Sequence, residues 1–217
     1  MDLIFKSLQE SLERGEDTVL ATVTASSGAT PRGEGARMLV DRTGRLAGTI
    51  GGGAVEYRSI DIARAALEQK RSDIHQFILN KNQIEDIGMI CGGSATVHYL
   101  YLNGNNGELL SIVKEARDAI RERQPSWLVT DVSERDQLGL ALFTAPAGTN
   151  PADPDFTSEG WSFRGFPAEH PCTRALLDDK RALCQRGHSV SKCGHTFYVE
   201  ELVVPGVVYI FGGGHVA

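Results

Sequence analysis

The sequence predicts an α/β protein with a mixed sheet over most of its length and the first strand of a second α/β unit at its end. Three observations point there. Segments of helical period alternate with segments rich in β-branched and aromatic residues. Between Gly28 and Glu56, two glycine-dense turns bracket a short apolar strand, and the second turn runs straight into a helical pattern. Finally, Val207-Val-Tyr-Ile-Phe211 is a buried-strand pattern followed by Gly212-Gly-Gly214-His-Val-Ala217. That is G-x-G-x-x-A after a strand, the opening turn of a dinucleotide-binding (Rossmann) fold.

Taken in order, residues 2–14 carry Leu3, Ile4, Leu8 and Leu12 at helical spacing and stop at Gly15. Thr18 to Ala25 has strand chemistry and leads to the first glycine turn, where Pro31 excludes helix from the residue before it. Arg37 to Asp41 and Arg45 to Ile50 are short strands joined by Asp41-Arg-Thr-Gly44. A helix follows from about Ala54 to Gln69, with Val55, Ile62, Ala63, Ala66 and Leu67 on one face. Ile74 to Leu79 and Ser94 to Leu102 read as strands, Glu108 to Arg123 as a helix, and Trp127 to Val132 with Leu138 to Phe143 as a strand pair. Five of the eight prolines fall between Thr144 and Pro171, which marks a long surface excursion. Phe156, Trp161, Phe163 and Phe166 within it predict that it packs onto the body of the protein. Helix returns near Thr173 to Arg186, then a strand from Thr196 to Val204. No internal sequence repeat is visible. These elements divide the chain into a domain over 1–204 and a Rossmann start over 205–217. A βαβ unit needs about 30 residues, so the remainder of that fold is expected to be absent from this chain.

Composition narrows the function. With a net charge of −6, the chain is a poor general binder of nucleic acid or anionic membrane. No apolar run approaches the roughly 20 residues of a membrane span, and the N-terminus lacks a signal-peptide pattern. Four cysteines are too few for a disulfide scaffold in 217 residues, so a reducing, cytoplasmic compartment is expected.

Any anion site must then be local. Strand–Gly51-Gly52-Gly53–helix aims free backbone N–H groups and a helix dipole at one point, and Arg32 and Arg37 supply positive charge nearby. The pattern reads either as an oxyanion or phosphate cradle or as tight turns with no ligand. Glu56, one turn into the helix, is a cap or a base over the cradle. Cys91, before Gly92-Gly93, is either a thiolate presented beside amide donors or a small buried residue. Cys172, Cys184, His188, Cys193 and His195 cluster in sequence, but their spacings match no C-x₂-C or H-x₃₋₅-H zinc pattern, so structural or solvent-facing roles are expected. His98 reads as a satisfied mid-strand histidine. His215 follows the final glycines, where it would face a nucleotide or a neighbouring domain. No Ser-His-Asp order, G-x-S-x-G elbow or Walker sequence occurs, so no catalytic residue is assigned.

Gly28-Ala-Thr-Pro-Arg-Gly-Glu-Gly-Ala-Arg-Met38, Gly48-Thr-Ile-Gly-Gly-Gly-Ala-Val-Glu56 and Met89-Ile-Cys91-Gly-Gly93 together resemble the XdhC/CoxI family, the xanthine dehydrogenase accessory proteins. Tyr209 to Ala217 is similar to the opening of that family's Rossmann domain, while residues 104–206 contribute little to the resemblance. The resemblance implies a cytoplasmic maturation factor that binds molybdenum cofactor (molybdopterin), holds it during sulfuration, and helps insert it into a xanthine dehydrogenase-type molybdenum hydroxylase. It implies a cysteine desulfurase as a second partner and NAD(P) in a full-length form; association, including a homo-oligomer, is expected because maturation partners need exposed surface. Carried over, Arg32, Arg37, Gly51, Gly52, Gly53 and Glu56 are cradle residues, with Gly92 and Gly93 beside them. Cys91 is a metal or sulfur contact, and Gly212 and Gly214 belong to the Rossmann turn. The alternative is a nucleotide-dependent oxidoreductase whose cofactor domain is missing, with Glu56 or His98 as its proton-transfer group.

Overall fold

The computed structural model describes residues 2–28, 30, 32–79, 93–134, 137–149, 160–184 and 188–202. Their order is α1 (Asp2–Glu13), β1 (Thr18–Gly28), β2 (Arg37–Val40), β3 (Arg45–Thr49), α2 (Gly53–Gln69), β4 (Asp73–Leu79) and β5 (Gly93–Leu102). Then come α3 (Gly107–Glu122), β6 (Ser126–Asp131), β7 (Leu140–Thr144), β8 (Ser162–Arg164), α4 (Pro171–Asp178), α5 (Lys180–Leu183), β9 (His188–Lys192) and β10 (His195–Glu201).

The strands form two five-stranded sheets, ordered β3-β2-β1-β5-β4 and β8-β7-β6-β10-β9. Every pairing in both is antiparallel, which corrects the expected mixed sheet. A strand–helix–strand order such as β3–α2–β4 usually joins parallel neighbours. Here α2 instead carries the chain from one edge of the first sheet to the other, so β3 and β4 never pair.

The second sheet repeats this plan. A helix leads in (α1, α3), three strands follow as hairpins, a helical segment crosses to the far edge (α2, α4–α5), and two strands return. The topology is thus duplicated where the sequence is not, because what a sheet demands is alternation of apolar residues rather than their identity.

Side-chain alternation sorts three cores. Leu20, Leu39, Leu100 and Leu102 of the first sheet and Leu128, Leu140 and Leu142 of the second share one core with Phe5, Leu8 and Leu12 of α1 and Leu109, Val113 and Ala116 of α3. The paired helices α1 and α3 therefore lie between the sheets. On the far face of the first sheet, Val19, Ala21, Met38 and Tyr99 meet Val55, Ala63 and Leu67 of α2. On the far face of the second, Trp127, Phe143 and Phe197 meet Leu176 of α4 and Leu183 of α5. Because both of its faces are covered, β1 is buried for seven consecutive residues.

Local chemistry sets the boundaries. Asn106 caps α3 by accepting from the Leu109 amide at 3.1 Å, and Lys70 and Arg123 close α2 and α3 in the left-handed region. The single helix expected from Thr173 to Arg186 is instead two. Asp179 breaks it, and its carboxylate accepts from the Ala182 amide to start α5. The described part of the Pro-rich excursion contributes β8, and Trp161 there stacks on Trp127 at 5.2 Å between ring centroids, as expected for that tryptophan. Phe156 and the Rossmann start over 205–217 lie outside the described residues.

Candidate functional site

Strand register brings the glycine motifs to one end of the first sheet. β1 ends at Gly28, antiparallel β2 begins at Arg37, β3 ends at Thr49, and β5 begins at Gly93 directly opposite Gly28. Since Arg37 pairs with Thr22, the β1–β5 ribbon runs six residues past the start of β2, roughly 20 Å at strand rise. The first glycine turn comes back along this ribbon, where the Gly35 amide donates to the Val23 carbonyl at 2.9 Å.

The second turn, Gly51-Gly52-Gly53, opens α2. Gly52 is the N-cap with φ of 88°, a conformation that disfavours any side chain, and no side chain caps the helix. A Cβ placed there would meet nothing within 4 Å, so the turn is open on that side of Gly52. Glu56 in the first helical turn is fully engaged. It takes an ion pair from Arg45 at 2.6 Å and a hydrogen bond from the Thr49 hydroxyl, whose oxygen in turn accepts from the Gly51 amide at 3.2 Å. Glu56 thus fastens the turn to β3, a structural role rather than that of a base.

Arg32 is exposed on the first turn, and Gly93 is half-buried at the start of β5. Arg37 lies apart from these two: its side chain is buried between the sheets, where it pairs with Glu200 of β10 and donates to Thr22 Oγ1 at 3.3 Å. Cys91, Gly92, Gly212 and Gly214 lie outside the described residues.

Around Arg37 is a polar seam that sequence reasoning missed. Tyr198 and Glu200 of the second sheet lie beside Gly35, where a Cβ would sit 3.5 Å from the tyrosine oxygen and 3.6 Å from a glutamate oxygen. Next along the row, His98 pairs with Thr22 in register, and Gln137 reaches it at 3.2 Å from Nε2 to Nε2. Arg37 Nη1, His98 Nδ1, Gln137 Oε1, Thr130 Oγ1 and the Tyr198 hydroxyl are buried without a hydrogen-bond partner among the described residues. His98 is therefore only half satisfied, short of the expectation. Burial lowers its pKa to about 4, raises that of Tyr198 to about 12, and raises that of Glu200 against the opposing pull of Arg37. The available signal was the interruption of the inner apolar alternation at Arg37, His98 and Glu200, but nothing in one sequence says that β2, β5 and β10 face each other.

A polar cleft of about 1000 Å³, sharing Gln137 with this seam, runs by the start of β4, lined also by Lys70, Arg71, Asp73, Gln76 and Glu134 among others. None of the residues expected from sequence lines it.

Residues 11–77 match the model of the XdhC and CoxI family. The chain is 28% identical over 177 residues to the molybdenum cofactor insertion chaperone PaoD of Escherichia coli K12, covering 80% of this chain and 49% of PaoD. It is 31% identical over 109 residues to the Escherichia coli K12 protein YqeB, covering 50% of this chain and 20% of YqeB. The chain thus spans half or less of the length of these curated relatives. A crystal structure of a xanthine dehydrogenase from Bacillus halodurans shares the fold, with a TM-score of 0.59 at 16% identity over 92% of this chain and 53% of that one. Among the described residues no helix is long and apolar enough to cross a membrane. The family match, over residues 11–77, takes in the first two glycine motifs.

Proposed function

We propose that this chain is a molybdenum-enzyme maturation factor that binds molybdenum cofactor at the glycine-turn end of the first sheet and passes it to an apo-hydroxylase. The observation that carries the reading is the convergence of the Gly28–Gly35 turn, the Gly51–Gly53 turn and Gly93 at one end of one sheet. The similarity to PaoD supports the choice of cargo.

The residues present fit such a group. The cofactor carries a phosphate, a dithiolene and an oxo-metal centre, and it calls for amide donors, a cation and a soft contact. The start of α2, which no side chain caps, offers N–H groups beside the open side of Gly52. Arg32 offers an exposed cation on the neighbouring turn. Cys91, two residues before Gly93 in the chain, is the soft ligand we assign to the metal or its sulfur. When bound, the cofactor supplies the redox-active molybdenum centre of the recipient enzyme. This chain's part is to hold the phosphate end, keep the turn rigid through the Arg45–Glu56–Thr49 clasp, and release.

Sulfuration of the held cofactor, a cysteine desulfurase as sulfur donor and a xanthine dehydrogenase-type recipient complete the proposal. The oxidoreductase alternative draws no support from its two proton-transfer candidates. Glu56 is occupied by Arg45 and Thr49, and His98 is buried with its basicity lowered.

The test is reconstitution. Cofactor-loaded chain incubated with an apo-hydroxylase should restore activity faster than free cofactor at equal molybdenum. Restoration no faster than free cofactor would sink the handover reading.

A further inference from the structure

The turns β8–α4 and β9–β10 bring together four side chains for which the maturation reading has no use. His170 is the N-cap of α4 and Cys172 lies two residues on, whereas Cys193 and His195 flank Gly194 in the hairpin turn. The sequence reads His-Pro-Cys and Cys-Gly-His. Ligand atoms of His170, Cys172 and His195 all lie within 4.8 Å of one another. The Cys172 thiol donates to the carbonyl of Lys192 at 3.5 Å, one residue before Cys193 in the turn. The two imidazoles meet edge to face with centroids 5.6 Å apart.

Two further features aim this cluster at an ion. Cys193 has φ of +50°, a left-handed turn position that favours glycine or asparagine. A cysteine held there costs roughly 1 kcal/mol or more; that strain at a would-be ligand is of the kind that marks a functional site. Behind the cluster stands Asp131 of β6, with no solvent exposure of its side chain. Its Oδ2 lies 2.7 Å from His195 Nδ1 and also accepts from the Leu138 amide, and its Oδ1 accepts from Ser133. A carboxylate on Nδ1 fixes the ring and leaves the Nε2 lone pair for coordination, the outer-shell arrangement typical of histidines that bind zinc.

We propose that His170, Cys172, Cys193 and His195 form a structural zinc site that clips the start of α4 to the β9–β10 turn. Two thiolates and two imidazoles are a tetrahedral donor set suited to zinc. On binding, both thiols release their protons, and His170 exchanges its present bond from the Cys172 amide (3.3 Å) for the metal. The one-residue spacing on each side escapes the familiar zinc patterns because the four ligands come from two turns on one side of the second sheet. The position is also topologically suggestive. The β8–α4 turn is the counterpart, in the duplicated plan, of the β3–α2 turn that carries Gly51–Gly53.

Cobalt(II) titration of the metal-stripped, reduced full chain tests this. The expected result is saturation near one equivalent, with thiolate-to-cobalt charge transfer, intense d–d bands of tetrahedral coordination, and displacement by zinc. Cys193→Ser, at an exposed position, should cut the charge-transfer intensity about twofold, and His195→Asn should abolish tight binding. Cys184→Ser should change neither signal. Circular dichroism checks that each variant is folded, and a misfolded His195→Asn is replaced by His170→Gln, for which the same loss is expected. Absence of charge-transfer bands, or bands unaltered by Cys193→Ser, would overturn the proposal. So would a Cys172–Cys193 disulfide in protein kept under reducing conditions throughout.

Discussion

Arg37 of the first sheet and Glu200 of the second form an ion pair across the space between the sheets, with 3% and 11% of their side chains exposed. This contact sits where the apolar core shared by the sheets gives way to the polar seam beneath the first glycine turn. Removing one partner leaves a buried charge without compensation. Arg37→Met should therefore destabilise the protein by about 3 kcal/mol, while Arg37→Met with Glu200→Leu should recover most of that loss. Urea denaturation of the two variants checks it. Equal stability of the single and double variants would show that the pair is not coupled.

His98 predicts a pH dependence. Its folded pKa is lowered from 6.5 to about 4, chiefly by burial, so between those values the unfolded chain binds more protons than the folded one. Its contribution is fully present above pH 6.5 and lost as pH falls towards 4, about 3 kcal/mol over the whole window at 1.36 kcal/mol per unit. His98→Gln should flatten that part of the stability curve. An unchanged acid slope in the variant would assign the effect to other groups.

Two glycines should respond differently to the same substitution. Gly48, at φ of +73°, packs so that a Cβ would collide with the Arg37 carbonyl and press on Ile4 at 2.8 Å. Gly52, at φ of +88°, has open space. Gly48→Ala should cost several kcal/mol through backbone collision as well as strain, on the order of 3 or more. Gly52→Ala should cost about 1–2 kcal/mol from strain alone. Thermal unfolding distinguishes them, and equal losses would mean that the strand register near Gly48 relaxes freely.

Much of this fold was legible because its elements announce themselves locally. α1 and α3 follow their apolar spacing, β6 and β7 pair with Trp127 opposite Phe143, and α2 starts at the glycine turn. What escaped was relational. Antiparallel order throughout depends on α2 crossing a whole sheet, which periodicity along the chain does not encode. β8 and β9 are short edge strands whose residues, Ser162-Phe-Arg164 and His188-Ser-Val-Ser-Lys192, carry little apolar signal. Of the candidate site, the sequence motifs identified the glycine turns and offered a structural role for Glu56. Arg37 was placed in the cradle because it lies near it in the chain, yet strand alternation turns it to the inner face with Leu39. Its partner Glu200 is far away in sequence, and only the facing of the two sheets brings the two together.

The most direct measurement is molybdenum and pterin per chain after anaerobic purification from a cofactor-producing host, for the wild type, Arg32→Glu and Cys91→Ala. Arg32 is exposed, so its charge reversal should leave the fold intact. The account predicts near-stoichiometric molybdenum in the wild type, a fall of tenfold or so with Arg32→Glu, the equivalent of about 1.4 kcal/mol, and a comparable fall with Cys91→Ala. A wild-type chain that emerges without molybdenum from a host whose own hydroxylases are loaded would contradict it, as would full occupancy in both variants.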